Sequence, residues 1–387
     1  MLYSQASKEF LKKLRNVCGI KKRPLHEPFF FGDEIKCISN CINSTFVSTK
    51  SEIIQKFESR VKKYTKARYV VATVNGTSAL HMALLSLNLK TNEEVIIPSF
   101  NFVAAANAIS YCGAFPNFVD IDEKTLSVDP NKLENYLKNN FKFKNKKCFN
   151  LKTKRFIKGI IVPHTFGHPA KIDVIKKITK KFKLFLIEDA AESFGSFYKN
   201  KHTGTFGDIG IISFNGNKII TTGGGGVVIT NKRKIYKKIS NLIELSKKKH
   251  KWKFDYYGIG YNLKMPGINA SLGLAQIDHI EKIIKLKRRI FLKYKKEFEN
   301  SEFFEIIYEP KYSRSNYWLQ NIKLKKNSIK LKNHLLNCSN ENGLNTRPAW
   351  TLLHKLKHFK NCSKSNLRIS NDLFNRIISL PSSANLI

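Results

Sequence analysis

The sequence GTFGDIGIISFNGNKIITTGGGGVVIT, residues 204–230, contains two apolar runs separated by a polar, glycine-rich loop. The runs GIISF and GGVVIT are short and continuously hydrophobic, which is typical of buried β-strands. The loop between them holds Lys218, and four consecutive glycines, 223–226, lead into the second run. Because Ile219 and Ile220 follow the lysine, we expect Lys218 to be buried, with a lowered pKa. This stretch predicts two core strands with a reactive amine between them.

Strands and helices alternate in the residues that precede this stretch, from about residue 69 onward. The pattern predicts strands at YVVATV, EVIIP, AFPNFVDID, GIIVPH and LFLIED, and helices at SALHMALLSLNL, NFVAAANAISY, DPNKLENYL and AKIDVIKKITKKFK. In DPNKLENYL, Asp129 can cap the helix and Pro130 can occupy its first turn. Because the strands are apolar throughout, we predict an α/β domain whose mostly parallel sheet is covered on both faces.

The periodicity changes after about residue 240. A long helical stretch, NASLGLAQIDHIEKIIKLKRRIFLKYKKEFE, precedes a region with fewer apolar runs. A chain of 387 residues is long enough for two cores. We therefore predict a basic extension, poorly ordered or helical, over residues 1–24, a large α/β domain over 25–240, and a smaller C-terminal domain over 241–387.

The formal net charge of +40 raises the hypothesis of a nucleic-acid partner. The positive charge is scattered, however, over stretches such as IKKITKKFK, KLKRR and SKKKHKWK, which belong to different predicted elements. A lysine-rich compositional bias explains this distribution better than a binding footprint, and the sequence lacks a helix-turn-helix, an RNP motif and a zinc knuckle. We expect no specific nucleic-acid partner, and the alternative predicts salt-sensitive binding to random DNA or RNA.

The seven cysteines indicate a reducing compartment. They are odd in number and form neither a close CxxC pair nor a cluster with zinc-ligand spacing. The N-terminus has no apolar signal segment, and no run approaches the length needed to span a bilayer. We expect a cytoplasmic protein with no metal and no membrane contact.

Polar residues follow several predicted strands, where ligands bind in open parallel sheets. After YVVATV, residues Gly76, Thr77 and Ser78 begin a helix and offer a phosphate cradle, or a plain helix cap. After EVIIPS, Phe102 is positioned either to stack on a flat ring or to serve as an ordinary core side chain. Ser213 ends the strand that precedes Lys218.

The apolar strand LFLIED ends in two carboxylates, Glu188 and Asp189, and Glu192 follows three residues later. A carboxylate at this position can hold the nitrogen of a cationic heterocycle, or it can cap a helix. P-loop, dinucleotide-binding, nucleophile-elbow and HExxH motifs are absent from the sequence.

Taken in order, several of these segments are similar to those of a known family. NGTSALH, IIPSFNFVAAANAIS, VPHTFGHPAKID, IEDAAESFGS, TGTFGDIGIISFNGNKIITTGGGG and GYNLKMPGINASLGLAQ resemble the DegT/DnrJ/EryC1/StrS family of sugar aminotransferases. The likeness extends from about residue 23 to about residue 356. It implies pyridoxal 5′-phosphate (PLP) as the cofactor and the type I fold of PLP-dependent transferases, which resembles aspartate aminotransferase, with a smaller C-terminal α+β domain.

The resemblance also implies a role for each candidate residue. Lys218 would form the Schiff base with PLP, Asp189 would pair with the pyridine nitrogen, Glu192 would approach the phenolic edge and Phe102 would stack on the ring. The phosphate would be held by Gly76, Thr77, Ser78, Ser213 and, because the family's sites lie at a homodimer interface, Asn262 of the partner subunit. Arg347, in NTRP, matches a family position near the substrate, although a structural role fits it equally.

The closest resemblance is to enzymes that aminate C4 of 4-keto-6-deoxy sugar nucleotides for surface polysaccharides. It implies a UDP-linked N-acetylhexosamine as substrate and glutamate as amino donor, with ping-pong kinetics. A GDP-linked 4-keto-6-deoxyhexose of the perosamine type is the alternative. The same family includes PLP-dependent sugar dehydratases. The resemblance implies that those enzymes carry His in place of the Schiff-base lysine, so Lys218 argues against dehydratase activity. Lys264, Tyr256 and Tyr257 depart from the family pattern near the expected nucleotide site.

Overall fold

The computed structural model describes residues 2–145 and 147–386 of the chain. The helices within these residues are α1 (Leu2–Cys18), α2 (Asp33–Asn43), α3 (Glu52–Thr65), α4 (Gly76–Ser86), α5 (Val103–Tyr111), α6 (Pro130–Asn140), α7 (Ile172–Lys181), α8 (Arg233–Leu242), α9 (Gly267–Asp278), α10 (Ile280–Phe298), α11 (Ile329–Glu341) and α12 (Arg368–Arg376). The strands are β1 (Tyr69–Thr73), β2 (Glu94–Pro98), β3 (Phe115–Val119), β4 (Phe141–Lys144), β5 (Lys147–Asn150), β6 (Phe156–Pro163), β7 (Phe185–Asp189), β8 (Phe197–Tyr198), β9 (Lys201–His202), β10 (Ile209–Ser213), β11 (Gly226–Thr230), β12 (Phe304–Ile306), β13 (Ser313–Arg314), β14 (Gln320–Leu324), β15 (Arg347–Pro348) and β16 (Ile377–Leu380).

The main sheet has the strand order β1-β11-β10-β7-β6-β2-β3, with the hairpin β4–β5 joined to the start of β6. Its centre, from β10 to β3, is parallel, which confirms the prediction of a mostly parallel sheet. Strand β11 is antiparallel to both β1 and β10. The connection from β10 to β11 contains no crossover helix, so the chain returns beside β10 in the opposite direction.

Helices cover both faces of this sheet, as predicted. One face packs against α4, α5 and α8 through buried side chains such as Leu84, Ile109 and Ile239. The other face packs against α6 and α7 through Leu133 and Ile175. Burial on both faces explains why the central strands carry no polar alternation.

Two helix predictions can be compared directly with the structure. The Asp129 carboxylate accepts hydrogen bonds from the backbone N–H groups of Asn131 (2.9 Å) and Lys132 (3.2 Å), so the predicted cap of α6 is confirmed. The stretch predicted to be helical from Asn269 onward is helical, and it divides at His279 into α9 and α10. The packing partners change along this stretch: α9 and the first turns of α10 join α3 in one core, whereas the rest of α10 joins α1 in another.

A second, four-stranded sheet has the order β12-β14-β16-β15. The N-terminal helix α1 packs into the core beside this sheet, and Ala6, Phe10 and Leu14 are fully buried there. Of the two states predicted for the first residues, the helical one is observed. None of the helices in the described part of the chain is both long and apolar enough to cross a bilayer.

Candidate active site

A cavity of about 310 Å³ lies at the carboxyl ends of the parallel strands. Side chains that follow β1, β2, β6, β7 and β10 line it, together with two tryptophans from the C-terminal part of the chain. Seven of the residues singled out in the sequence line this one cavity: Gly76, Thr77, Phe102, Asp189, Glu192, Ser213 and Lys218. The topology of the sheet accounts for their convergence, because the ends of parallel strands share one edge.

The start of α4 forms one wall of the cavity. Asn75 caps the helix, and its side chain accepts a hydrogen bond from the Ser78 N–H at 2.7 Å. The Ser78 amide is therefore already engaged, and Ser78 lies outside the residues that line the cavity. Gly76 faces Ser213 so closely that a Cβ at Gly76 would lie 3.0 Å from the Ser213 Cβ. The absence of a side chain at Gly76 keeps this corner open.

Lys218 also lines the cavity, with its side chain 14% exposed and its Nζ 3.8 Å from Glu192 Oε1. Burial lowers the pKa of Lys218, and the carboxylates of Glu192 and Asp189 oppose this shift. Burial also raises the pKa of Glu192 to about 7, with Lys218 acting in the opposite direction. The site thus holds an amine and a carboxyl group that both exchange protons more readily near neutral pH than they would in water.

The two carboxylates that end β7 have different surroundings, because successive residues of a strand point to opposite faces. Glu188 is fully buried and accepts hydrogen bonds from the His164 ring and from the N–H groups of Gly204, Phe206 and Gly207. Burial alone would raise the pKa of Glu188, but these hydrogen bonds hold it below its ordinary value. Glu188 is therefore a structural anion that fixes the loop before β10.

Asp189 faces the cavity, and its Oδ1 accepts a hydrogen bond from the Ala191 N–H at 3.2 Å. Burial raises the pKa of Asp189, while this hydrogen bond and Lys218 act against the shift. The chain after Asp189 forms turns and then β8, so the helix-capping interpretation of these carboxylates is wrong. A buried carboxylate with a single short-range donor is well suited to a cationic partner.

Strained backbone lies beside Glu192. Phe166 has a φ of +56°, which is rare for a residue with a side chain, and its N–H donates to Glu192 Oε2 at 2.7 Å. The Phe166 ring stacks on Trp350, with 5.0 Å between ring centroids. Phe102 is 51% exposed and lines the cavity, so the interpretation of Phe102 as an ordinary core side chain is wrong.

Several residues that line the cavity were not predicted from the sequence, among them Asn101, Trp318 and Trp350. Asn101 is 4% exposed, and its Oδ1 accepts the Phe102 N–H at 2.8 Å. Its Nδ2 is buried and has no hydrogen-bond partner among the described residues. The two tryptophans belong to loops far along the chain, where only the rarity of the residue type, three in 387, was available as a signal.

Two further predicted residues lie outside the cavity of the single chain. Asn262 is exposed and forms a backbone bridge with Glu244. Arg347 is exposed on β15, and its guanidinium donates to Asn340 Oδ1 at 2.8 Å and to the Thr346 carbonyl at 2.9 Å. Within one chain, the Arg347 side chain is thus occupied by its own neighbourhood.

Comparison with known proteins places this geometry in context. The model of the DegT/DnrJ/EryC1/StrS aminotransferase family matches residues 31–387. GDP-perosamine synthase of Escherichia coli O157:H7 is 35% identical over 365 residues, which cover 94% of each chain. UDP-4-amino-4,6-dideoxy-N-acetyl-beta-L-altrosamine transaminase of Campylobacter jejuni is 30% identical over 280 residues, covering 72% of this chain and 70% of the relative.

The fold is also found among solved structures. The sugar aminotransferase Spr1654 of Streptococcus pneumoniae, in its PMP form, superposes with a TM-score of 0.85 at 23% identity, covering 95% of this chain and 94% of the other. The predicted fold class is confirmed. The chain belongs to the DegT/DnrJ/EryC1/StrS aminotransferase family.

Proposed function

We propose that this cavity binds PLP through Lys218 and that the protein transfers an amino group to C4 of a keto-sugar nucleotide. One observation carries the proposal: the buried Lys218 amine, whose pKa is lowered by burial, shares the cavity with Asp189 and Glu192. A buried lysine of lowered pKa is the form in which an amine bonds covalently to a carbonyl compound.

The volume of the cavity and its unused polar groups support cofactor binding. Its volume of about 310 Å³ is at the lower end of the range for small-molecule sites. The open corner between Gly76 and Ser213, at the start of α4, suits a phosphate, because helix N-termini attract anions. The unpartnered Asn101 Nδ2 leaves one buried donor for an oxygen of a ligand.

Each residue would hold a different part of the cofactor. Asp189 would pair with the ring nitrogen, and Phe102 would cover a face of the ring. Glu192, with its pKa near 7, can carry a proton and donate it in a hydrogen bond to the phenolic oxygen. The phosphate would be held by Gly76, Thr77 and Ser213, with Asn262 of the partner subunit. When bound, PLP supplies an electron sink for the carbon that loses a proton.

Lys218 would act as the acid and base of the reaction. Burial lowers the pKa of its amine, so the ammonium form gives up its proton more readily than that of an exposed lysine. The carboxylates of Glu192 and Asp189 limit this shift and keep the ammonium form accessible. Because the side chain is only 14% exposed, water has little access to Nζ during the transfer.

The names of the relatives support a sugar nucleotide as the acceptor. One is a GDP-perosamine synthase and another is a transaminase of a UDP-linked amino sugar. We propose a UDP-linked 4-keto-6-deoxy-N-acetylhexosamine with glutamate as donor, and a GDP-linked 4-keto-6-deoxyhexose is the second candidate. The GDP-perosamine synthase has a higher identity and a fuller coverage than the UDP-linked amino sugar transaminase, so both candidates are tested equally.

A borohydride experiment tests the cofactor proposal. The purified chain, loaded with PLP and reduced, should carry a phosphopyridoxyl group on the tryptic peptide that contains Lys218. Lys218→Arg is the matched variant, because it keeps the positive charge but cannot form the bond. Labelling of another lysine in the wild type, with none on Lys218, would refute the proposal.

A substrate panel then separates the two sugar nucleotides. The enzyme is incubated with glutamate and with UDP-linked or GDP-linked 4-keto-6-deoxy sugars, and products are identified by mass and NMR. One series should gain an amine at C4 while glutamate is consumed in equal amount. Reaction of neither series, with the cofactor attached to Lys218, would exclude both substrates and leave the cofactor assignment intact.

A further inference from the structure

The free amine of Lys218 lies against the face of a tryptophan. Its Nζ is 4.0 Å from the centroid of the Trp318 ring, while Glu192 Oε1 is 3.8 Å away. The ammonium therefore has an aromatic face and a carboxylate as near neighbours. Tryptophan is the aromatic side chain that attracts a cation most strongly, and burial increases the effect.

The Trp318 ring is fixed in place. It is 4% exposed, and its Nε1 donates to the carbonyl of Asn217, the residue before Lys218, at 2.7 Å. The Trp318 backbone N–H donates to Asn316 Oδ1 at 2.8 Å. The loop between β13 and β14 is thus fastened to the backbone that carries the lysine.

A second buried lysine holds the same loop from behind. Lys287, on α10, is fully buried and donates from Nζ to the carbonyls of Trp318 (2.8 Å) and Ser382. Among the described residues it forms no ion pair, and burial lowers its pKa well below the ordinary value. An amine without a carboxylate is costly to bury, so its placement behind Trp318 indicates a bracing role.

We propose that Trp318 is a positioning residue whose ring face holds the Lys218 amine whenever that amine is not bonded to the cofactor. The inference rests on the proposed function, since transamination frees this amine in every cycle. A flexible four-carbon side chain needs a defined position to return to the same carbon. The Trp318 face supplies that position next to Glu192.

The other titratable groups around Lys218 are Asp189 and His26. Asp189 favours the ammonium form of Lys218. His26 is buried, and burial together with Lys287 and Lys218 holds its pKa well below the ordinary value. His26 is therefore neutral at pH 7 and adds no competing positive charge. The Trp318 ring is therefore the neighbour that a substitution can remove from the Lys218 ammonium without changing the charge of the site.

Progressive fluorination of tryptophan is the sharpest test, because fluorine withdraws electron density from the ring while nearly preserving its shape. The pKa of Lys218 is measured on the full chain freed of cofactor, from the pH dependence of modification by an amine-selective reagent. Peptide mass spectrometry identifies the labelled site. The proton affinity of Lys218 should fall stepwise with each added fluorine, by about tenfold over the series.

Variants assign the effect to one ring. Trp318→Leu should lower the proton affinity of Lys218 about tenfold, and Trp318→Phe should lower it less, because a weaker aromatic face remains. In Trp318→Phe, fluorination of the other tryptophans should change nothing. Trp350→Phe is the matched control, because Trp350 lines the same cavity but packs on Phe166.

The readout distinguishes this inference from the proposed function. An unchanged pKa of Lys218 across the fluorinated series would overturn the role of Trp318, even where cofactor attaches to Lys218. Failure of wild-type Lys218 to bind PLP would refute the proposed function. The titration would still measure the effect of the Trp318 ring on the pKa of Lys218. Should Trp318→Leu fail to fold, the fluorinated wild type still decides the question. Circular dichroism of each variant identifies losses that are merely structural.

Discussion

Two regions of the molecule differ in how far a single chain completes them. One is the cofactor side of the cavity, and the other is the segment 244–262, here called the arm. Lys218 and Asp189 find their polar neighbours within the chain and are buried. The arm leaves large apolar side chains in solvent: Trp252 is 72% exposed and Phe254 is 78% exposed. The first region is organised before any ligand arrives, whereas the second has the composition of a surface that another molecule covers.

The largest expected effect comes from removing the amine. Lys218→Ala should reduce amine transfer from glutamate by about 10³-fold or more, because the acid-base group and the covalent attachment are lost together. Mass spectrometry of the sugar nucleotide measures the rate. Lys232→Ala removes an exposed lysine paired with Asp208 and serves as control. A Lys218→Ala enzyme with a tenth of wild-type activity would show that the cofactor side is not where the chemistry occurs.

The second effect concerns the carboxylate at the end of β7. Asp189→Asn keeps an oxygen for the Ala191 N–H but removes the charge. Amine transfer should fall by about 10²- to 10³-fold, since a neutral side chain cannot hold the ring nitrogen in its protonated form. Borohydride should still attach cofactor to Lys218. Loss of attachment with an unchanged rate in loaded enzyme would contradict this division of roles.

The third effect tests the arm. Trp252→Ala combined with Phe254→Ala should weaken self-association about tenfold or more, as truncated aromatic anchors do at interfaces. Light scattering across a dilution series measures the association. Tyr312→Ala removes a ring that is 76% exposed elsewhere on the surface and is the matched control. Asn262 lies at the end of the arm, so equal association of all three proteins would contradict the proposed dimer in which the partner's Asn262 reaches the phosphate.

The smallest effect lies at the junction of the two regions. Glu58, on α3, accepts the Ala72 N–H of edge strand β1 at 2.7 Å, and Ala72 also accepts the Met265 N–H just after the arm. Burial raises the pKa of Glu58 to about 7. The folded chain therefore keeps this proton to higher pH than the unfolded chain, and wild-type stability falls as pH rises from about 4.5 to about 7.

Glu58→Gln keeps the acceptor and has no proton to release. Relative to wild type, the free energy of unfolding of Glu58→Gln should be roughly 2 kcal/mol higher at pH 8 than at pH 5, because only the wild type loses stability over this range. Urea unfolding at the two pH values measures the difference. The exposed Glu302→Gln controls for removal of one negative charge. If the difference in free energy of unfolding between Glu58→Gln and wild type were the same at both pH values, the pKa of Glu58 would not be raised by folding.

The sequence sufficed where one residue pattern had one physical solution. The apolar runs of β2, β6, β7, β10 and β11 are short and continuous, and only a sheet buried on both faces accommodates them. The hairpin β4–β5 is absent from the predicted strands, because FKFKNKKCFN alternates Phe with Lys and contains no continuous apolar run. Phe143 of that hairpin is 51% exposed, so this part of the hairpin buries little apolar surface and has no hydrophobic run by which it could be predicted.

The site divides in the same way. Asp189 and Ser213 are the last residues of strands, and Gly76 lies shortly after one, so the sheet dictates their convergence. Trp318 comes to Lys218 from 100 positions along the chain, and such a contact leaves no local pattern. Ser78 shows a third case: it lies in the first turn of α4 as predicted, but its amide donates to the Asn75 side chain, a competition that composition alone does not reveal.

The packing of α1 has a consequence for the order in which the protein folds. Phe10 and Leu14 share a core with Leu380 and Leu386, so α1 is synthesised long before part of the surface on which it packs. Domains otherwise form from the N-terminus as synthesis proceeds. Until Leu380 and Leu386 have been synthesised, part of the apolar face of α1 lacks its native cover, which makes the docking of α1 a late step in folding.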